Sequence, residues 1–198
     1  MQNCSSAIQF VEFRAEKMRQ LLIQAFKDAV DQIGTDMVRM PITRWNESVF
    51  RFIYSRAITK LQKDVKQFFE CERIDLVLRH ESEGAFVEFK FYIHSPKYDA
   101  LYGNVCGRKG YPSDKNVSEF KKCVKELRKR DTPQNFLKLV ALFYADPVRT
   151  NGRKYDGDYG DRSAIEHKLK LHRLASCGLF ELPDGSDSCN ARLYEVIT

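Results

Sequence analysis

The sequence predicts an α/β fold: a central mixed β-sheet flanked by helices, preceded by a long N-terminal helix and closed by a C-terminal hairpin. Three stretches predict it. Residues 73 to 92 alternate apolar with polar side chains in two halves, around a polar break that ends in Gly84, which is the period of a β-hairpin. Residues 114 to 130 gather Val117, Phe120, Val124 and Leu127 on one side of a helix, with Lys121, Lys122, Lys125, Arg128, Lys129 and Arg130 mostly on the other. Residues 135 to 145 are apolar almost without a break, as in a strand covered on both faces. Hairpin, helix and buried strand in that order form an α/β crossover.

The remaining elements follow in chain order. Residues 8 to 33 carry Ile8, Val11, Ala15, Met18, Leu22, Ala25 and Ala29 at alternating steps of three and four, with Gly34 as a stop. A helical stripe of that kind packs on its own domain or pairs with a second copy, so it offers a route to a homodimer. A second helix, with Thr43 as its expected N-cap, runs from Trp45 to Leu61 and is apolar on more than one face. Residues 65 to 71 read as a short strand leading into the hairpin. Residues 94 to 116 read as a long irregular connection in which lysines and arginines interleave with tyrosines. Residues 146 to 162, polar and rich in glycine, read as a mobile flap whose Asp156-x-Asp158 spacing lacks the register of a calcium loop. Residues 163 to 175 read as a helix, although Lys168 to Arg173 also alternates like a strand. Leu179 to Leu182 and Arg192 to Ile197 flank a turn-forming segment and make the closing hairpin.

With 198 residues the chain is expected to form a single domain, 1–198. Hydrophobic residues at 43% and charged residues at 30% are ordinary for a water-soluble fold, and the net charge of +6 favours a polyanionic partner. The longest apolar runs are strand-sized and no leader-like segment is visible, so the expectation is a cytoplasmic protein with no membrane contact. The six cysteines are scattered without a Cys-x-x-Cys pair, which fits reduced thiols. His167, His172, Cys177 and Cys189 match no standard zinc spacing. Phosphate-loop, dinucleotide-binding, zinc-protease and serine-hydrolase signatures are missing from the sequence.

The hairpin carries the chemistry. With residues 80 to 83 at its tip, antiparallel pairing sets Arg79 against Gly84 and Asp75 against Glu88. Opposed side chains start about 5 Å apart at Cβ, and two carboxylates that close share a proton or hold a cation. Lys90 shares the face of Glu88. Two oxygen ligands beside one ammonium suit a hard divalent ion and a phosphate. Glu47 and Arg51, charged residues on a helix that must be largely buried, form an i,i+4 pair, or else Glu47 points at the carboxylates.

Asp75 and the triplet Glu88-Phe89-Lys90, in strands reading Arg-Ile-Asp-Leu-Val-Leu and Ala-Phe-Val-Glu-Phe-Lys-Phe, resemble the PD-(D/E)xK, or restriction-endonuclease-like, nuclease superfamily. The likeness spans a core of about residues 43 to 146, and it departs from the family pattern in placing Ile74 where the family has proline. The resemblance implies a restriction-endonuclease-like core and a metal-dependent endodeoxyribonuclease acting on double-stranded DNA. It implies Mg²⁺, with Mn²⁺ as a substitute, held by Asp75, Glu88, the main-chain carbonyl of Phe89 and Glu47. Lys90 would then orient or deprotonate the attacking water or stabilise transition-state charge. His94 extends the same strand face. Candidate nucleic-acid contacts are Lys97, Arg108, Lys109, Lys115 and Lys121. Because the chain carries little beyond such a core, a dimeric type II restriction enzyme is the first expectation. A repair or recombination nuclease, or an inactive nucleic-acid-binding module of the same fold, is the alternative.

Overall fold

Six strands form one mixed sheet in a computed structural model that describes residues 4–37, 45–93, 95–98, 105–109, 114–133, 135–147, 159, 165–181 and 187–197. The strands are β1 (Lys66–Cys71), β2 (Ile74–His80), β3 (Glu83–Ile93), β6 (Phe136–Pro147), β7 (Leu171–Glu181) and β8 (Asp187–Val196), ordered β1-β2-β3-β6-β8-β7. β3 and β6 are parallel and every other neighbouring pair is antiparallel. A separate ribbon joins β4 (Ser95–Tyr98) to β5 (Val105–Lys109).

Helices cover both faces. α1 (Cys4–Met37) and α2 (Glu47–Leu61) lie on one side, and α3 (Asp114–Lys129) lies on the other. Strand alternation sorts the core accordingly. Leu76, Leu78, Val87, Phe89, Leu139 and Phe143 face α1 and α2. Val77, Phe86, Val140, Leu142 and Tyr144 face Phe120, Val124 and Leu127 of α3. β6 is buried on both faces because it runs through the middle of the sheet, as its unbroken apolar sequence requires.

Met18, Leu22, Ala25 and Ala29 of α1 are buried within the domain, together with Phe26, Val30 and Ile33. Burial of each large side chain contributes about 2 kcal/mol. This stripe is therefore spent on the fold, and among the described residues it leaves no apolar seam for a second copy. Ile8, Val11 and Ala15 have side chains outside the described residues. α2 starts later than expected: its cap is Asn46, whose side chain accepts the Val49 N–H at 3.0 Å, while Thr43 lies outside the described residues. A short amide reaches the third helical N–H easily, and Glu47 then favours the positive end of the helix dipole.

Three readings of the sequence are corrected. Residues 163 to 175 are not a helix. A single turn, Ile165–Lys168, stops at Lys170, whose φ of 48° is left-handed, and β7 begins at Leu171. Pairing with β8 overrides the weak helical pattern, so the closing hairpin is longer than its apolar ends suggested. Residues 94 to 116 are not one irregular connection, since they hold the β4–β5 ribbon and the first residues of α3. Most of the expected flap lies outside the described residues, but its Tyr159 is buried, stacked on Tyr92 at 5.5 Å and edge-on to Phe120 at 5.4 Å. A ring held that way belongs to the core rather than to a mobile segment.

Candidate active site

A fork in the sheet builds the site. β2 and β3 pair as expected, Arg79 against Gly84 and Leu76 against Val87, but the ladder stops there while β3 continues to Ile93. On the other side of β2, the β1 ladder joins Phe69 to Leu76 and Cys71 to Ile74, skipping Glu70 and Asp75. Glu70, Glu72 and Arg73 all have left-handed backbones, with φ of 53°, 53° and 66°. This tight turn throws the start of β2 out of the regular pleat. Ile74 accordingly joins the α3 side of the core, on the face opposite Leu76 and Leu78.

Asp75 lies in the fork. In place of a ladder partner, its Oδ2 accepts the Phe89 N–H at 2.8 Å. Continuing the register would set Asp75 opposite Glu88. The two meet through a side-chain hydrogen bond and not as a main-chain pair. Burial, reinforced by the negative charge of Asp75, pushes the Glu88 carboxyl up to about 8. Glu88 therefore keeps its proton at neutral pH.

Lys90 is the centre of charge. Its Nζ donates to the Phe89 carbonyl at 2.8 Å and lies 3.5 Å from Glu47 Oε2, with only 12% of the side chain exposed. Burial opposes its charge, but Cys123, Glu47, Asp75 and Glu88 together outweigh that and raise its pKa above the usual lysine value. Without a metal ion beside it, Lys90 is thus held as an ammonium. Burial raises the Glu47 carboxyl as well, partly offset by Lys90.

Arg51 was missed as a site residue. It does not pair with Glu47. Its guanidinium bonds Asp75 Oδ1 at 3.2 Å and Glu70 at 2.7 Å, and it reaches the Asp75 carbonyl at 3.4 Å. The available signal was an arginine set among apolar residues of a helix, and spacing alone could not say which acid it would meet. α3 adds Cys123, whose buried thiol lies 4.0 Å from Glu88 Oε2 and is pushed up to about 12 by burial. A cleft of about 400 Å³ opens beside Glu88 and Lys90 and is edged by Arg73, Lys122, Arg130 and Glu119.

The donor set suits a hard cation. Asp75 and Glu88 supply adjoining carboxylates, and the Phe89 carbonyl already takes a positive group from Lys90. Among the described residues no three acids, histidines or cysteines converge as a ready-made cage. Glu47 stays with Lys90. Two carboxylates and one carbonyl, completed by water, match Mg²⁺ better than a fully protein-bound ion.

The other expected residues are dispersed. Lys115 and Lys121 are exposed on α3, and Lys121 borders a shallow groove with Lys125 and Lys129. Lys97, Arg108 and Lys109 fall on the β4–β5 ribbon with side chains outside the described residues, and His94 is outside them altogether. Among the described residues no helix is long and apolar enough to cross a membrane. The chain matches no family model, no curated protein and no solved structure.

Proposed function

We propose that the protein is a divalent-metal-dependent nuclease that hydrolyses DNA phosphodiester bonds, with restriction-type endonucleolytic cleavage as the leading form. The observation that carries this reading is the meeting of Asp75, Glu88, Lys90 and Glu47 at the fork between β2 and β3. Asp75 and Glu88, with the Phe89 carbonyl, would hold Mg²⁺ or Mn²⁺, which when bound lowers the pKa of water and neutralises phosphate charge. Lys90, kept protonated by the acids around it, would bind a non-bridging phosphate oxygen and stabilise the charge that grows there. Glu47, 38% exposed at its side chain and held by Lys90, would take the proton of the attacking water. The net charge of +6 and the basic face of α3 favour a polyanionic substrate.

The test is incubation of supercoiled plasmid and linear bacteriophage DNA with Mg²⁺, Mn²⁺ or EDTA, using wild type, Asp75→Ala and Lys90→Ala. Metal-dependent cleavage lost in both variants supports the reading. Linearisation of closed circles favours a restriction-type enzyme, and attack limited to ends or branches favours a repair nuclease. Binding without cleavage in wild type would make the protein a nucleic-acid-binding module. Cleavage that survives both substitutions would reject this active site.

A further inference from the structure

Three phenylalanines near the site are left in solvent, and each carries an arginine. Phe69 is 47% exposed, Phe68 42% and Phe52 57%. Arg51 lies over Phe69, Arg79 over Phe68 and Arg56 over Phe52, each with the guanidinium carbon 5.9 Å from the ring centre. A large exposed aromatic costs solvation free energy, so an open ring beside the site is a candidate ligand contact. Phe69 differs from the other two in its neighbours. The guanidinium over its ring is the one that bonds Asp75 Oδ1 at 3.2 Å, so the ring lies one arginine's width from the carboxylate pair.

We infer that Phe69 is a stacking platform for an unpaired base next to the phosphate that Lys90 would bind, so the preferred substrate is a single strand or a locally melted duplex end. The inference rests on the nuclease reading for its choice of phosphate and adds the class of nucleic acid. Phe69 offers the flat apolar face that a base needs, with the Arg51 guanidinium against the ring, while Lys90 supplies the cation for the phosphate. A base inside an intact duplex keeps its faces covered by its neighbours and cannot use such a ring. β1 is the edge strand of the sheet, so the ring has open space on the side away from β2. A second copy of the chain is a poorer occupant. The edge carries Lys66 and Glu70, and the left-handed backbone at Glu70 breaks the straight ladder that strand-to-strand pairing needs.

The experiment measures binding in EDTA, where cleavage is off, so it does not depend on activity. The probes are a short single-stranded oligonucleotide containing 2-aminopurine, the same strand in a blunt duplex, and a duplex with a frayed end. Wild type, Phe69→Ala, Phe69→Trp and Phe68→Ala are compared. Phe68 is the control, because it leaves the same strand towards α3, under Arg79. Phe69→Ala is expected to weaken single-strand and frayed-end binding about tenfold and to remove the quenching of 2-aminopurine. Phe69→Trp should retain both, Phe68→Ala should change neither, and the blunt duplex should bind equally to all four. Unchanged single-strand binding by Phe69→Ala overturns the inference, as does an equal loss on the blunt duplex. It is also overturned if Phe69→Ala shifts the sedimentation of the protein alone without altering DNA binding, which would make the ring a protein contact. If wild type binds as expected but never cleaves with Mg²⁺ or Mn²⁺, the nuclease reading fails and the platform stands.

Discussion

Asp75 closes the fork of the sheet by accepting the main-chain N–H of Phe89 at 2.8 Å. A carboxylate thus does the work of a strand carbonyl, and the same bond fixes the residue between Glu88 and Lys90. Removing it loosens both the sheet and the site. Asp75→Ala should leave the Phe89 N–H without its partner and Arg51 with Glu70 as its remaining acid, costing about 2 kcal/mol of stability. Urea unfolding reads this as a lower midpoint with an unchanged slope.

The Arg51–Asp75 pair should behave as a unit. Arg51→Met and Asp75→Asn each leave the other partner with an unmet charge or hydrogen bond in a part-buried place, while the double variant removes both. A double-mutant cycle is expected to show a coupling of about 1 kcal/mol or more. Strict additivity would mean that the pair contributes nothing and that the position of Asp75 is fixed by Phe89 alone.

Glu88 sets the pH dependence of the metal-free protein. Its folded carboxyl sits at about 8, above the ordinary 4.5, so between those values the folded state binds a proton that the unfolded chain does not. Stability from this group is fully present below pH 4.5 and declines as the pH rises towards 8. Thermal melts in EDTA should therefore fall across that window, and Glu88→Gln should flatten the fall. Stability that rises there in wild type, with no change in Glu88→Gln, would contradict a raised pKa at Glu88.

Lys90→Met should lower single-turnover cleavage by about two to three orders of magnitude, the usual cost of losing one group that stabilises transition-state charge. Because the ammonium on the Phe89 carbonyl is then gone, metal affinity should hold or rise. Rate against metal concentration separates the two effects. A loss of rate that excess Mn²⁺ fully restores would make Lys90 an aid to metal binding and not a catalytic charge.

Gly84 tests the register on which the site depends. A Cβ there would run into the Leu78 carbonyl and the Phe136 ring. Neither backbone nor packed ring can yield freely, so Gly84→Ala should destabilise the fold by about 1–3 kcal/mol. Chemical denaturation measures it.

The sequence shows the hairpin register because apolar alternation and a polar tip leave one antiparallel solution, and Arg79 meets Gly84 as that solution requires. β6 was legible for a similar reason, since an unbroken apolar run has only the middle of a sheet to occupy. What escaped was non-local. Residues 171 to 175 become strand because β8 offers a partner, and the short alternation at Lys168 to Arg173 could not by itself decide against the helical spacing. The fork at Asp75 comes from left-handed residues at Glu70, Glu72 and Arg73, where no glycine announces a turn. Arg51 looked like the partner of Glu47 because spacing along a helix is visible, whereas the sheet beneath it is not. The second carboxylate of the hairpin was found by register, but the raised pKa of Glu88 comes first from burial, which spacing along the strands does not show.

Direct titration with Mn²⁺, followed by electron paramagnetic resonance of the free ion, tests the central claim most directly. Wild type should show saturable binding that Mg²⁺ displaces, and Asp75→Asn and Glu88→Gln should each abolish it while remaining folded. Binding that persists unchanged in both folded variants, or none in wild type, would contradict a metal centre at the fork.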